Sequence, residues 1–280
     1  MDFHVIKIDV EKLGVLKSAL LKDSRTLETR TKTKFESFRL SFGEASIIAY
    51  TTGKVVASDI YSRALLQNSV QEIYKSAETE STIIGSDEAG KGEWLGPLVI
   101  SAVALNSLQS AILRSLGVMD SKELKLKQIY DLAKDVKRNC ISFKVVLLSP
   151  ETFNRRFDEL KREGKNLNDL LAWGHAKAIS ECRRAVKEDG ISVVIDEFSR
   201  IKTKLRLERV LDTTLIRLIQ KPRAEDVMAV AAASIVARDA REIWLDSQSR
   251  KMELNLRELN PSSVAKRADR FLIAKVSYLK

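Results

Sequence analysis

Between residues 82 and 240, short apolar runs alternate with longer stretches of helical periodicity, which confines this part of the chain to an α/β fold, a mixed sheet flanked by helices. The runs that read as strands are 82–85, ending at a turn, then 98–105, 141–148 and 193–196. Helical spacing covers 122–137, 151–163, 167–187 and 203–211. Two further apolar segments follow at 215–219 and 227–240, and the second, rich in alanine, reads as a tightly packed helix.

Before residue 82 the pattern differs. Ile6, Ile8 and Val10 alternate as in a half-buried strand, and Leu13, Leu16 and Leu20 then recur at helical spacing. Phe38, Leu40 and Phe42 alternate again, Gly43 marks a turn, and segments 46–50 and 54–57 flank the turn-like Thr51-Thr52-Gly53. An amphipathic helix fits 59–75. The order β-α-β-β-β-α predicts a small α+β domain with a curved antiparallel sheet. The polar run 76–82 is the natural boundary, giving domains at 1–78 and 82–280, and no internal repeat or low-complexity tract is present.

With 44% hydrophobic and 31% charged residues, the chain is neither disordered nor fibrous. Its 2 cysteines, Cys140 and Cys182, are too few for a disulfide scaffold or a cysteine-rich zinc site, and a reducing, cytoplasmic setting is expected. The opening residues lack signal-peptide and transit-peptide character. The longest apolar stretch, 227–237, is about half the roughly 20 residues that a bilayer requires, so no membrane association is expected. The net charge is +10, and +9 of it falls in residues 81–280, a balance that favours a polyanionic partner.

The segment Gly85-Ser-Asp-Glu-Ala-Gly-Lys-Gly92 directly follows the first strand of the longer part. As a phosphate-binding loop it fails, because Gly92 stands where Ser or Thr should hold magnesium and two carboxylates occupy the phosphate cradle. No nucleotide cofactor is expected. Asp87 and Glu88 instead suit a hard cation such as Mg²⁺ or Mn²⁺. Further acids end another strand at Asp196-Glu197 and precede the alanine-rich helix at Glu225-Asp226. Carboxylates gathered from several element ends repel one another unless divalent cations lie among them. In a basic chain, such a cluster points to metal-dependent cleavage of phosphodiesters.

At these residues the chain resembles the type 2 ribonuclease H family, and its ribonuclease HIII branch more than ribonuclease HII. The first acidic strand with its glycine-basic-glycine motif is similar to 85–92 followed by Leu95-Gly-Pro-Leu98; Asp120-Ser-Lys-Glu-Leu124 resembles a second motif, Val194-Ile-Asp196 a third, and Glu225 with 231–238 a fourth. The HIII branch is favoured by the preceding small domain, which resembles that branch's TATA-binding-protein-like substrate-binding domain. Asn166-Leu-Asn-Asp-Leu-Leu-Ala-Trp-Gly-His175 resembles its central helix, and the fourth acid is Glu225, with Asp226 the alternative on a one-residue shift. The ending Lys275-Val-Ser-Tyr-Leu-Lys280 departs from the Lys-Leu-His-Phe-Lys-like ending of that branch.

The resemblance implies a ribonuclease H-like fold and an endonuclease that cleaves the RNA strand of an RNA/DNA hybrid, leaving 5′-phosphate and 3′-hydroxyl ends. It implies that Asp87, Glu88, Asp196 and Glu225 hold two Mg²⁺ or Mn²⁺ ions, with Asp87 shared between them. By similarity, Gly90, Lys91 and Gly92 bind the ribose and a phosphate, and Ser121 and Lys122 add substrate contacts. A monomer is expected. Alternative readings are incision at single ribonucleotides in DNA, as in ribonuclease HII, and a non-catalytic nucleic-acid-binding relative.

Other residues receive plainer assignments. Asp120 or Ser121 reads as a helix cap, and His175 as a structural histidine. Trp94, Trp173 and Trp244 read as core, with Trp94 also near enough to the acidic loop to flank substrate. Ser234 has no nucleophile motif around it, and Arg238 and Arg241 are expected to meet acids or phosphates. Arg25, Arg30, Lys32, Lys34 and Arg39 form either a backbone-gripping basic loop or a solvated face.

Overall fold

The computed structural model describes residues 4–75, 82–118, 124–187, 190–196, 204–205, 208, 216–222 and 224–279, with the backbone alone for Lys75 and Glu225. They form two compact units, one from the described residues of 1–80 and 106–119, the other from those of 81–105 and 120–280.

The first unit is built on strands β1 (His4–Lys7), β2 (Thr26–Thr29), β3 (Glu36–Phe42), β4 (Ala45–Tyr50) and β5 (Lys54–Ala57). They pair antiparallel throughout in the order β1-β5-β4-β3-β2. Alternate residues face opposite sides, so Phe38, Leu40, Ile47, Ala49, Val55 and Ala57 are buried against helices α1 (Leu13–Leu20) and α2 (Ile60–Lys75). The expected order lacked β2. Its sequence Thr-Leu-Glu-Thr has one apolar side chain, Leu27, which is 65% exposed, so only backbone pairing to β3 marks it as an edge strand.

A third helix, α3 (Ser107–Leu116), belongs to this unit and packs on α2, with Ala111 in the shared core. Its ends carry strong local signals. Asn106 and Gln109 form a reciprocal capping box, and Gly117 ends the helix at φ 92°, in the left-handed region that glycine enters without a Cβ clash. His4 Nε2 and Gln67 Nε2 both meet the carbonyl of Ser115, which binds the helix end to β1 and α2.

The second unit contains β6 (Ile83–Ala89), β7 (Leu98–Leu105), β8 (Ser142–Leu148), β9 (Ile191–Asp196) and β10 (Ile216–Lys221) in the order β10-β9-β6-β7-β8. β10, β9 and β6 run parallel; β7 and β8 run antiparallel to their neighbours. Helices α4 (Leu126–Asn139), α5 (Pro150–Arg162), α6 (Leu167–Arg183), α7 (Met228–Met252) and α8 (Pro261–Ala265) complete it. All eight residues of β7 are buried, as a central strand covered on both faces requires.

Two glycines set how closely the helices approach. A Cβ at Gly85 would lie 2.2 Å from the Ala229 carbonyl carbon, so α7 rests directly on the backbone of β6 through its alanines. On the other face, a Cβ at Gly174 would lie 2.5 Å from Ile100 Cδ1, so α6 rests on the Ile100 side chain of β7.

Several boundaries differ from the expectations. β6 does not turn at Gly85 but continues to Ala89, because Asp87 and Glu88 pair through their backbones with Ser101 and Ile100. α4 begins at Leu126 and α6 ends at Arg183. Most of the helix expected at 203–211, and the cap expected at Asp120 or Ser121, lie outside the described residues. Among the described residues, no helix is long and apolar enough to cross a membrane.

Candidate active site

Alternation along β6 sends neighbouring side chains to opposite faces of the sheet. Ser86 and Glu88 turn toward α6, where both meet His175, whereas Gly85 and Asp87 turn toward α7, where Asp87 accepts a hydrogen bond from Ser234. The two adjacent carboxylates thus reach one cleft from two sides. Asp196 ends the neighbouring parallel strand β9, and since Ser86 pairs with Ile195, Asp87 and Asp196 leave the sheet side by side. The cleft has a volume of about 590 Å³ and is lined by Asp87, Glu88, Asp196, Gly90, Lys91, Glu93, Ser234, Arg238, Arg241 and Glu242.

Like charges crowded away from water cannot ionise independently. Burial first, and the adjacent Glu88 carboxylate second, push Asp87 up to about 7. Burial alone would raise Glu88 as well, but the hydrogen bond and charge of His175, aided by Lys91, outweigh it and hold Glu88 down to about 2. Glu88 is therefore the settled anion of the pair and Asp87 the one that keeps a proton toward neutral pH.

The loop after β6 is shaped by its glycines. Gly90 has φ +84° and a Cβ there would lie 2.3 Å from the Pro97 carbonyl oxygen, so no other residue fits. Between Gly90 and Gly92, Lys91 Nζ donates to Glu88 Oε1 at 2.9 Å. Arg241, from α7, donates to the Leu95 carbonyl at 3.2 Å, to Glu242 at 2.8 Å and to Glu93, holding the loop from below.

The carboxyl-terminal segment holds the same loop from the other side. Gly96 N–H donates to the Ile273 carbonyl at 2.9 Å, and Lys275 N–H to the Trp94 carbonyl at 2.7 Å. Lys275 Nζ, fully buried, donates to the Gly96 carbonyl at 2.6 Å, and burial pushes its ammonium down to about 7. Trp94, half-buried, packs against the cluster formed by Leu245, Leu256, Val264, Ile273 and Ala274.

Ser121, Lys122 and the Glu225 side chain lie outside the described residues. The Glu225 backbone sits in the 3-10 turn Ala224–Asp226 just before α7, and the Ala224 N–H donates to Asp196 Oδ1 at 3.5 Å. That turn therefore abuts Asp196, while Asp226 is solvent-exposed. Of the five basic residues in the first unit, Arg25 is paired with Asp23 and Arg39 with buried Glu36, whereas Arg30, Lys32 and Lys34 are exposed.

Among the described residues, no three His, Cys, Asp or Glu side chains are drawn together as a ready ligand set. The donors nonetheless suit a hard divalent cation, since they are carboxylate oxygens only, and the crowding that raises Asp87 is what such a cation would relieve. Sequence reasoning missed the part played by His175, whose ring bridges Ser86 Oγ at 2.8 Å and Glu88 Oε2 at 3.1 Å. The signal was present in Gly174-His175, a helix position where close approach to the sheet leaves a polar ring no solvent to face.

The sequence model of the family described as Ribonuclease HII matches residues 84–278. A ribonuclease HIII of Protochlamydia amoebophila is 39% identical over 65% of this chain and 58% of its own length. One from Chlamydia felis is 31% identical over 87% of this chain and 81% of its own length. The chain thus spans less than two thirds of the first relative and four fifths of the second. Among solved structures, Bst-RNase HIII in complex with Mn²⁺ superposes with a TM-score of 0.61 at 24% identity, covering 99% of this chain and 96% of that one, which shows a shared ribonuclease H-like fold.

Proposed function

Because the chain belongs to the ribonuclease HII family, we propose that it is a ribonuclease HIII-like endonuclease that cleaves the RNA strand of RNA/DNA hybrids with Mg²⁺ or Mn²⁺, two ions per site. The observation that carries this reading is the meeting of Asp87, Glu88 and Asp196 at one cleft beside a Gly-Lys-Gly loop. Glu225, whose turn abuts Asp196, completes the acidic set in this proposal.

Bound among these oxygens, divalent cations would supply an activated water and would offset the charge developing on the departing oxygen. The chain's residues do the rest. Asp87, Glu88, Asp196 and Glu225 would hold the ions, whose charge would favour the ionised form of the crowded Asp87. Gly90 and Gly92 leave their backbone amides open to the ribose, whose 2′-hydroxyl distinguishes RNA from DNA. Lys91 meets a phosphate, and Ser121 and Lys122 add contacts to the same strand. Water oxygen joins phosphorus and loses a proton to solvent, the bond to the 3′ oxygen breaks, that oxygen takes up a proton from solvent, and the products carry 5′-phosphate and 3′-hydroxyl ends.

In this reading residues 1–78 serve as a TATA-binding-protein-like substrate-binding domain and 82–280 as the catalytic domain, which lends α3 to the first unit. The exposed side chains of Arg30, Lys32 and Lys34, on the stretch joining β2 and β3, grip the hybrid backbone. Two free cysteines suit the cytoplasm, where the protein acts as a monomer.

Two labelled duplexes test the reading, one a continuous RNA/DNA hybrid and one DNA with a single ribonucleotide, each with Mg²⁺ or Mn²⁺ and with Asp87→Asn as control. Cleavage of the hybrid alone, lost in the control, is the expected result. Comparable cutting at the lone ribonucleotide favours the HII-like reading, which the family match over 84–278 keeps in play. Binding of both without cutting defeats the enzyme reading.

A further inference from the structure

His175 is fully buried, yet it lies one hydrogen bond from the cleft. Its position depends on the tight approach of α6 at Gly174. A carboxylate that ligates a cation can only accept hydrogen bonds, so in that state His175 Nε2 carries the hydrogen and donates to Oε2 at 3.1 Å. With the hydrogen on Nε2 the far ring nitrogen is an acceptor, so the single hydrogen of Ser86 Oγ serves either Nδ1 at 2.8 Å or the Ser101 carbonyl at 2.6 Å. Ser101 Oγ donates in turn to the Ala233 carbonyl of α7 at 2.7 Å. A row of polar contacts thus crosses the sheet from α6 through β6 and β7 to α7.

The two oxygens of Glu88 have unlike partners. Oε2 is tied to a ring with no solvent exposure, whereas Oε1 faces Lys91, whose side chain is 41% exposed at the cleft. We propose that His175 is a positioning residue: it reserves Oε2 and so presents Glu88 to a divalent cation through Oε1 alone, the oxygen that Lys91 can release. The proposal rests on the metal-dependent reading above. Partners that orient a ligand in this way are worth roughly 10- to 100-fold in metal affinity or activity.

Three variants of the full chain separate this role from packing. In His175→Gln the amide nitrogen replaces Nε2 as donor to Glu88, and in His175→Asn the shorter side chain serves only the Ser86 side. Ser86→Ala leaves the ring in place without its support. Mn²⁺ affinity is read by titration with electron paramagnetic resonance of the free ion, beside melting curves and steady-state cleavage of a hybrid. The expected result is Mn²⁺ binding weakened about tenfold or more in His175→Asn, with kcat reduced and KM for hybrid unchanged, and recovery to within about threefold in His175→Gln. Ser86→Ala should shift Mn²⁺ affinity in the same direction by about threefold, and it carries the test should His175→Asn fail to fold. Wild-type Mn²⁺ affinity in folded His175→Asn, or equal losses in the Asn and Gln variants, would overturn the positioning role while leaving the ribonuclease reading intact. A wild-type chain that neither binds Mn²⁺ nor cuts either duplex overturns both.

Discussion

The two sheets spend their faces differently. In the first unit, helices cover one side of an antiparallel sheet, and the other side carries Val5, Val56, Ile48, Arg39 and Thr29 in one cross-strand row, all part-exposed. In the second unit α6 and α7 cover both sides, and β7 is buried along its whole length. A sheet covered twice has only its strand ends left for polar chemistry, and there Asp87, Glu88 and Asp196 meet the cleft. A sheet covered once keeps a broad surface suited to contact without chemistry. The division predicts that damage to the second unit abolishes turnover, while damage to the first weakens grip.

Asp87→Asn puts the strongest strain on that contrast. Cleavage should fall more than about a thousandfold, roughly 4 kcal/mol of barrier, in a duplex assay. Stability should move the other way. Asp87 holds its proton in the folded state up to about 7, above its ordinary 3.8, so folding binds a proton between those values and stability falls as pH rises through that window. Asparagine removes this slope, so denaturant titrations with chelator at pH 5 and pH 8 should differ less for the variant than for the parent chain.

Gly85→Val attacks the double cover itself. A side chain there would meet the Ala229 backbone at 2.2 Å, and we expect a loss of more than about 3 kcal/mol in thermal or denaturant unfolding, with turnover lost alongside. Replacing Arg30, Lys32 and Lys34 together by alanine probes the single-sided unit. Hybrid affinity should drop about tenfold, and the dependence of log K on log salt should flatten by about 2 to 3, with kcat unchanged; unaltered affinity and slope would remove the first unit from substrate binding. Asn106→Ala, which strips the cap from α3, should cost only about 1 kcal/mol, visible as a small shift in the melting of the first unit.

Much of the second sheet was legible because its strands are short apolar blocks that no other arrangement buries. The carboxylates were legible too, since Asp87, Glu88 and Asp196 each interrupt such a block at its end. What periodicity could not reveal was the continuation of β6 beyond Gly85, because polar residues near a strand end break the apolar pattern while the backbone ladder carries on. For the same reason the assignment of Asp87 and Glu88 to opposite faces became visible only once the register to β7 was known. His175 looked like core because its neighbours in sequence are apolar, and its partners Ser86 and Glu88 lie 89 and 87 residues away. β2 escaped because an edge strand with one exposed leucine has no hydrophobic signature. α3 escaped for a different reason. Its cap and its terminal glycine were readable, but helical spacing alone did not single out the segment, nor could it tell which sheet the helix serves.

That last helix imposes an order on biosynthesis. Residues of the first unit up to position 80 are synthesised before α3, and at about 5–20 residues per second the gap to residue 116 lasts roughly two to seven seconds. During that interval α2 waits without the helix that packs on it, and the strand β7, the core of the other sheet, is synthesised before the first can close. The nascent chain must therefore carry two unfinished cores at once, and a messenger truncated near codon 80 would encode a fragment with an apolar flank that only translation of the next forty codons can cover.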